Sequence, residues 1–256
     1  MSRKCRCKKA PIIFQQTLNI NCGSGLALPP SLGLCPANFG TGLDTDLIIP
    51  SGMSLVMTRD YNFNTLTVQA GGMIVTNGFN LFVNGLLTLN GTIQNNGGNG
   101  SATGPGFGGG GGSAGGQPSA NVFAPNTSGG GNGGAATPST APLDESLTAL
   151  SLGRIQNTAG VKYTGGAGGD NPGGGGGGGV IGIFARQIVS SNSAIIQANG
   201  GIGLGGGGGG GGGLVFIFAG ENLSQPSILP TLQALGGQGN AEGQVGNIVT
   251  IFCTAP

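Results

Sequence analysis

Seven consecutive glycines at 173–179 and nine at 205–213, within a total of 60 glycines in 256 residues, are what any fold of this chain must accommodate. Glycine loses more backbone entropy on folding than any other residue and returns no side-chain burial, so an ordered glycine run needs partners for its bare backbone. It is either a solvated linker or an extended segment packed against others. The flanking residues favour packing. Val180-Ile181-Gly182-Ile183-Phe184-Ala185, Leu214-Val215-Phe216-Ile217-Phe218-Ala219 and Ile248-Val249-Thr250-Ile251-Phe252-Cys253 begin 34 residues apart and share an Ile-Phe-small ending. Strand-like blocks at equal spacing indicate stacked, equivalent units, and they hold the glycine runs at both ends.

A second element recurs between these blocks. Ile196-Gln197-Ala198-Asn199-Gly200-Gly201-Ile202-Gly203 and Leu232-Gln233-Ala234-Leu235-Gly236-Gly237-Gln238-Gly239 match, with an earlier copy at Ile93-Gln94-Asn95-Asn96-Gly97-Gly98-Asn99-Gly100. The unit reads strand, turn, strand, glycine return. Upstream, residues 46–96 carry short blocks of Val, Ile, Leu and Phe, such as Leu47-Ile48-Ile49, Met73-Ile74-Val75, Leu81-Phe82-Val83 and Leu86-Leu87-Thr88-Leu89. They are separated by the turn formers Ser51-Gly52, Gly71-Gly72, Asn77-Gly78, Asn84-Gly85 and Asn90-Gly91. No helical period intervenes. The expected fold is all-β: a β-helix or β-solenoid-like stack with glycine-rich, polyproline-II-like returns. A sandwich built from Asn-Gly hairpins is the alternative.

The chain divides into a basic, Cys-containing arm and lead-in strand (1–45), a short-strand β region (46–100), a Ser/Thr/Pro/Gly-rich excursion expected to be exposed (101–150) and the glycine-rich repeat region (151–256). Intrinsic disorder is disfavoured, because hydrophobic residues make up 37% of the chain, mean hydropathy is +0.17 and the formal net charge is +1. Five of the nine basic residues, Arg3, Lys4, Arg6, Lys8 and Lys9, lie in the arm, which leaves the body weakly acidic. That distribution offers nucleic acid no basic face and no aromatic platform. No apolar run approaches the ~20 residues of a membrane span. Pro11-Ile12-Ile13-Phe14 is cut by Gln15-Gln16, too early for the core of a classical signal peptide. The expected location is an extracellular surface assembly, a virion or a spore or cell surface, reached by release from the cell.

Five cysteines, Cys5, Cys7, Cys22, Cys35 and Cys253, leave at least one without an internal partner. In an oxidising setting these are candidates for intersubunit disulfides, with Cys5 and Cys7 on the arm foremost. The spacing does not suit zinc, and Asp44-x-Asp46 lacks the remaining ligands of a calcium loop, so it reads as a turn cap. The chain has no His, hence no Ser-His or Cys-His arrangement. Its eight acids come without Trp and with only Tyr61 and Tyr163 to hold a sugar. No glycine run has the form of a phosphate loop. These features point to a protein that is not an enzyme and takes no cofactor.

The stretch from Asp46 to Gly100 and the later glycine, 180–185 and 196–203 pattern resemble glycine-rich β-helical proteins of phage tail fibres and virions. The glycine-rich adhesins at the tips of T-even-like long tail fibres are similar in having glycine segments packed as polyproline-II-like layers, although this chain lacks their Trp-bearing attachment region. The Cys5-x-Cys7 arm resembles the N-terminal connectors of bacterial spore appendages. The resemblance implies a structural subunit that partners itself in an oligomer or filament, with the arm strand added to a neighbour's sheet edge. The alternative is an adhesin that meets a cell-surface receptor through 101–150 and the turns near Glu221 to Pro230. An ice-binding face is a weaker reading, because no strict every-third-glycine period is evident.

Overall fold

The computed structural model describes residues 14–21, 39–101, 106–109, 173–222 and 229–254. Their regular elements are all strands: β1 (Phe14–Asn21), β2 (Leu47–Ile49), β3 (Ser54–Val56), β4 (Tyr61–Phe63), β5 (Leu66–Val68), β6 (Met73–Val75), β7 (Asn80–Leu89), β8 (Thr92–Gln94), β9 (Val180–Ser190), β10 (Ile195–Gln197), β11 (Leu214–Asn222), β12 (Thr231–Gln233) and β13 (Asn247–Thr254). They form two sheets. The larger runs β1-β13-β11-β9-β7-β5-β2, with β4 also on β7, and the smaller runs β12-β10-β8-β6-β3. No helix long and apolar enough to cross a membrane occurs among the described residues.

Every ladder in both sheets is parallel. From β5 to β12 successive strands alternate between the sheets, so each turn is a corner and not a hairpin. At Asn77-Gly78 both residues have positive φ, 51° and 82°. That backbone is the usual signature of a tight hairpin, yet here it carries the chain from β6 in one sheet to β7 in the other. The hairpin sandwich is therefore not found among the described strands. Asn84-Gly85 is not a turn either, because β7 runs through it and the ladder to β9 shifts register between Val83 and Leu86. Arg186 fixes this bulge, donating from Nε to the Asn84 carbonyl at 2.6 Å and from its terminal nitrogen to Asn84 Oδ1 at 2.9 Å.

The alternation within each strand sends one set of apolar side chains between the sheets. Leu55, Ile74, Ile93, Ile196 and Leu232 stand in register along the small sheet. Opposite them lie Leu66, Leu87 and Leu89 and, further along, Leu81, Ile183 and Ile217, all essentially without solvent contact. The large sheet is apolar on its other face as well. Phe82, Phe184 and Phe218 align across three strands, with ring centroids 4.9 and 6.4 Å apart, and Phe39 stacks on Phe218 at 5.5 Å. A parallel sheet covered on both faces reads as continuous hydrophobic blocks, which explains the unbroken runs of β9 and β11.

The 34-residue step holds from β9 to β11, where Ile183 pairs with Ile217; from β11 to β13 it is one residue shorter, since Ile217 pairs with Thr250, so the 248–253 block is paired one residue off the alignment its sequence suggests. Below it the step changes, and Leu81 pairs with Ile183, 102 residues on, three times the repeat. Both sheets continue across that jump, so the short-strand tract and the glycine-rich tract build one stack.

Candidate functional site

Past β8, β10 and β12 the chain leaves the sheets as glycine segments, and these form a second kind of core. Segments 95–100, 198–203 and 234–239 lie parallel as one layer. Gly97 and Gly100 donate to the carbonyls of Asn199 and Ile202, and Gly200 and Gly203 to those of Leu235 and Gln238, at 2.7–2.8 Å. Segments 106–109, 173–179, 207–213 and 241–246 form a second parallel layer. There Gly106 and Gly109 donate to Gly174 and Gly177, Gly175 and Gly178 to Gly208 and Gly211, and Gly209 and Gly212 to Ala241 and Gln244, at 2.8–2.9 Å. Bonds recur every third residue, as expected for an extended helix of three residues per turn.

The two layers run antiparallel and are bonded directly to one another. Gly176 donates to Gly98, Gly201 to Gly176, Gly210 to Gly201 and Gly237 to Gly210, each at 2.7–2.9 Å. A methyl group on Gly201 would overlap the carbonyl oxygen of Gly98, and one on Gly176 that of Phe107. The contact is backbone on backbone, so no residue with a Cβ fits. Residues 173–179 and 207–213 are buried throughout.

The layer formed by 95–100, 198–203 and 234–239 has an outward face, and its third positions carry side chains: Asn96 and Asn99, Asn199 and Ile202, Leu235 and Gln238. A three-residue period was therefore present in the sequence, written as two glycines and one outward residue. The asparagines complete the lattice on the face where the described residues form no third layer. Asn96 Oδ1 accepts from the Asn199 amide at 2.8 Å, Asn99 Oδ1 from the Ile202 amide at 2.9 Å and Asn199 Oδ1 from the Leu235 amide at 2.8 Å. Beside them Gln197 donates to Gln94 at 3.0 Å, and Asn199 to Gln233 at 3.0 Å. Such amide ladders bind each level to the next.

The acids near the start of the stack serve the same end. Asp44 Oδ2 accepts from the Asn62 amide at 2.6 Å and its carboxylate pairs with Arg59, which lies 4.3 Å over the Tyr61 ring. Asp46 Oδ1 accepts from Asn64, from the Thr65 amide and from the Thr65 hydroxyl at 2.8–3.0 Å. Asp60 accepts from the Asn80 amide at 2.7 Å. The guanidinium of Arg59, helped by the Asn62 amide, holds Asp44 below the usual carboxylate range, and donors from Asn64 and Thr65 do the same for Asp46. Each carboxylate caps the adjacent level and not, as a turn cap would, its own next strand. Among the described residues no group of three His, Cys, Asp or Glu could hold a metal ion.

Of the cysteine candidates, Cys5, Cys7, Cys22 and Cys35 lie outside the described residues. Cys253 is on β13, in register with Ile20 of β1. Thus the lead-in strand is placed on the edge of its own sheet, beside the strand that holds the last cysteine. Most of the 101–150 excursion and residues 223–228 also lie outside the described residues. No family model matches the sequence, and comparison with curated proteins and with solved structures gives no match either.

Proposed function

We propose that this chain is a structural subunit of an extracellular assembly, a virion or tail fibre or a surface filament, with no enzymatic activity. In this reading the two sheets and two glycine layers are successive faces of one β-solenoid with polyproline-II-like returns. The observation that carries it is the lattice: side-chain columns hold the strand levels together, and backbone bonds running in three directions hold the glycine levels. Such a body serves as a rigid rod or strut.

The joining element is the N-terminal arm. β1 is a single edge strand on β13, and a strand added to a sheet edge can be supplied by the same copy or a neighbouring one. Cys5 and Cys7 ahead of it, with Cys22, Cys35 and Cys253, then seal the junction as intersubunit disulfides. Non-reducing electrophoresis of oxidised full-length protein is expected to give a ladder that collapses with reductant and is lost in a C5S/C7S variant. Monomer under both conditions would overturn the arm model.

A second reading, an adhesin at the tip of a fibre, is favoured by the change in step. The ladder advances by 102 residues only where residues 110–172 fall, in sequence, between two neighbouring glycine segments. Inserted material at one level of a regular stack is where repeat proteins place binding loops. Removing 112–170 is expected to abolish cell binding and leave the β circular-dichroism signature intact; unchanged binding would sink this reading.

A further inference from the structure

The start of the stack is left open. Among the described strands β2 and β3 each have one neighbour, β5 and β6, so both sheets finish there on an unpaired edge. The large apolar side chains around that edge are uncovered: Leu43 is 81% exposed, Ile48 61%, Met53 60% and Val56 52%. Among the described residues the others of this kind are Phe107, Ile202 and Leu204, so exposed apolar surface is concentrated on one terminal level. Soluble proteins blunt such edges with charge, bulges or a covering loop, and stacked repeats end in polar caps. Here the edge strands Leu47-Ile48-Ile49 and Ser54-Leu55-Val56 bear no charge. Asp46, just ahead of β2, has its Oδ1 turned to Asn64 and Thr65 on the next level.

We propose that this end docks the opposite end of a second copy of the chain, with β2 adding in parallel to the free edge of β1. The inference rests on the assembly reading above and identifies the surface that propagates it. Strand direction argues for a second copy. All ladders are parallel, so all strands of a sheet point the same way. At the far end β1 is again an edge strand, with β13 as its one neighbour among the described strands. A copy displaced along the stack, without rotation across it, brings β1 against β2 with matching direction and continues the large sheet from one molecule into the next. Two copies meeting β2 to β2 would have to pair antiparallel and would close as a dimer. The displaced arrangement joins unlike surfaces and does not close, which yields a filament.

The experiment uses full-length protein, sedimentation velocity and negative-stain imaging, with an I48K/V56K variant that places charge on exposed positions of the open edge. Wild type is expected to form filaments, and the variant to require at least about tenfold higher concentration for half assembly. The variant keeps its β1 end, so small amounts mixed into wild type are expected to shorten filaments by ending them on one side; this also shows that it is folded. Filaments of wild type that the variant neither weakens nor shortens would overturn this docking surface and leave the assembly reading standing. Wild type that stays single at all concentrations would overturn both, and a closed wild-type dimer would overturn the head-to-tail arrangement.

Discussion

The short-strand levels and the glycine levels belong to the same stack but are held together by opposite means. Between β2 and β8 the spacing of the two sheets is set by side chains such as Met57, Leu66, Ile74, Leu87 and Ile93, which are fully buried. Between 173–179, 198–203 and 207–213 nothing separates the chains, and the packed surface is peptide on peptide. The first gains from water leaving apolar surface, about 25 cal/mol per Å². The second gains chiefly from bonds made in several directions by peptides shielded from water, where an unmade bond costs about 1–3 kcal/mol. Glycine's entropy loss is offset because one segment serves several neighbours at once.

Substitution should separate the two. A methyl on Gly201 meets the Gly98 carbonyl, which cannot move because it already accepts from Gly176. Gly201→Ala is expected to cost about 4 kcal/mol or more, the range reserved for broken cores, read as loss of the cooperative unfolding transition or a fall in its midpoint. Ile93→Ala, in the centre of the side-chain core, should cost about 3 kcal/mol, and Ile93→Val only about 1. A glycine site that accepts alanine as gently as Ile93 accepts valine would break the distinction. Asn199→Ala tests the seam between the two regimes. It frees the Leu235 amide and the Gln233 side chain, for an expected loss of about 2 kcal/mol, whereas replacing the exposed Ile202 by Ala should change the midpoint little.

How much of this could be read in the sequence follows from the same contrast. The strand blocks, the 34-residue step from β9 to β11 and the packing role of the glycine runs were legible, because apolar blocks and their spacing are local signals, although β13 pairs one residue off the spacing its sequence suggests. Asn77-Gly78 misleads, since its backbone specifies a tight corner but not whether the next strand returns in the same sheet. Asn84-Gly85 misleads for a different reason: its conformation is decided by Arg186, 102 residues away. The Asn96, Asn99 and Asn199 ladder was hidden because its glycine period holds for only two turns per segment, and its purpose appears only when these side chains are seen bonding the amides of the next segment. The cysteines come with no geometry, since of the five only Cys253 lies on a described strand.

Acid offers the mildest test, since titratable groups are unevenly shared. Asp44 and Asp46 secure the first levels of the stack, whereas the glycine segments 95–100, 106–109, 173–179, 198–203 and 207–213 contain no ionisable side chain. Both carboxylates are held below their ordinary value of 3.8, Asp44 mainly by Arg59 and Asp46 mainly by Asn64. A folded-state pKa below the unfolded one means that the charged form is favoured by folding. The contribution is therefore complete above the unfolded value and is lost as pH falls below it, through the depressed folded values. Hydrogen-exchange protection in residues 44–66, corrected for the intrinsic rate, is expected to drop between pH 4 and pH 2 while the amides of Gly176, Gly201 and Gly210 keep theirs. Glycine amides that lose protection in the same step would show that the side-chain and backbone cores open as one cooperative unit.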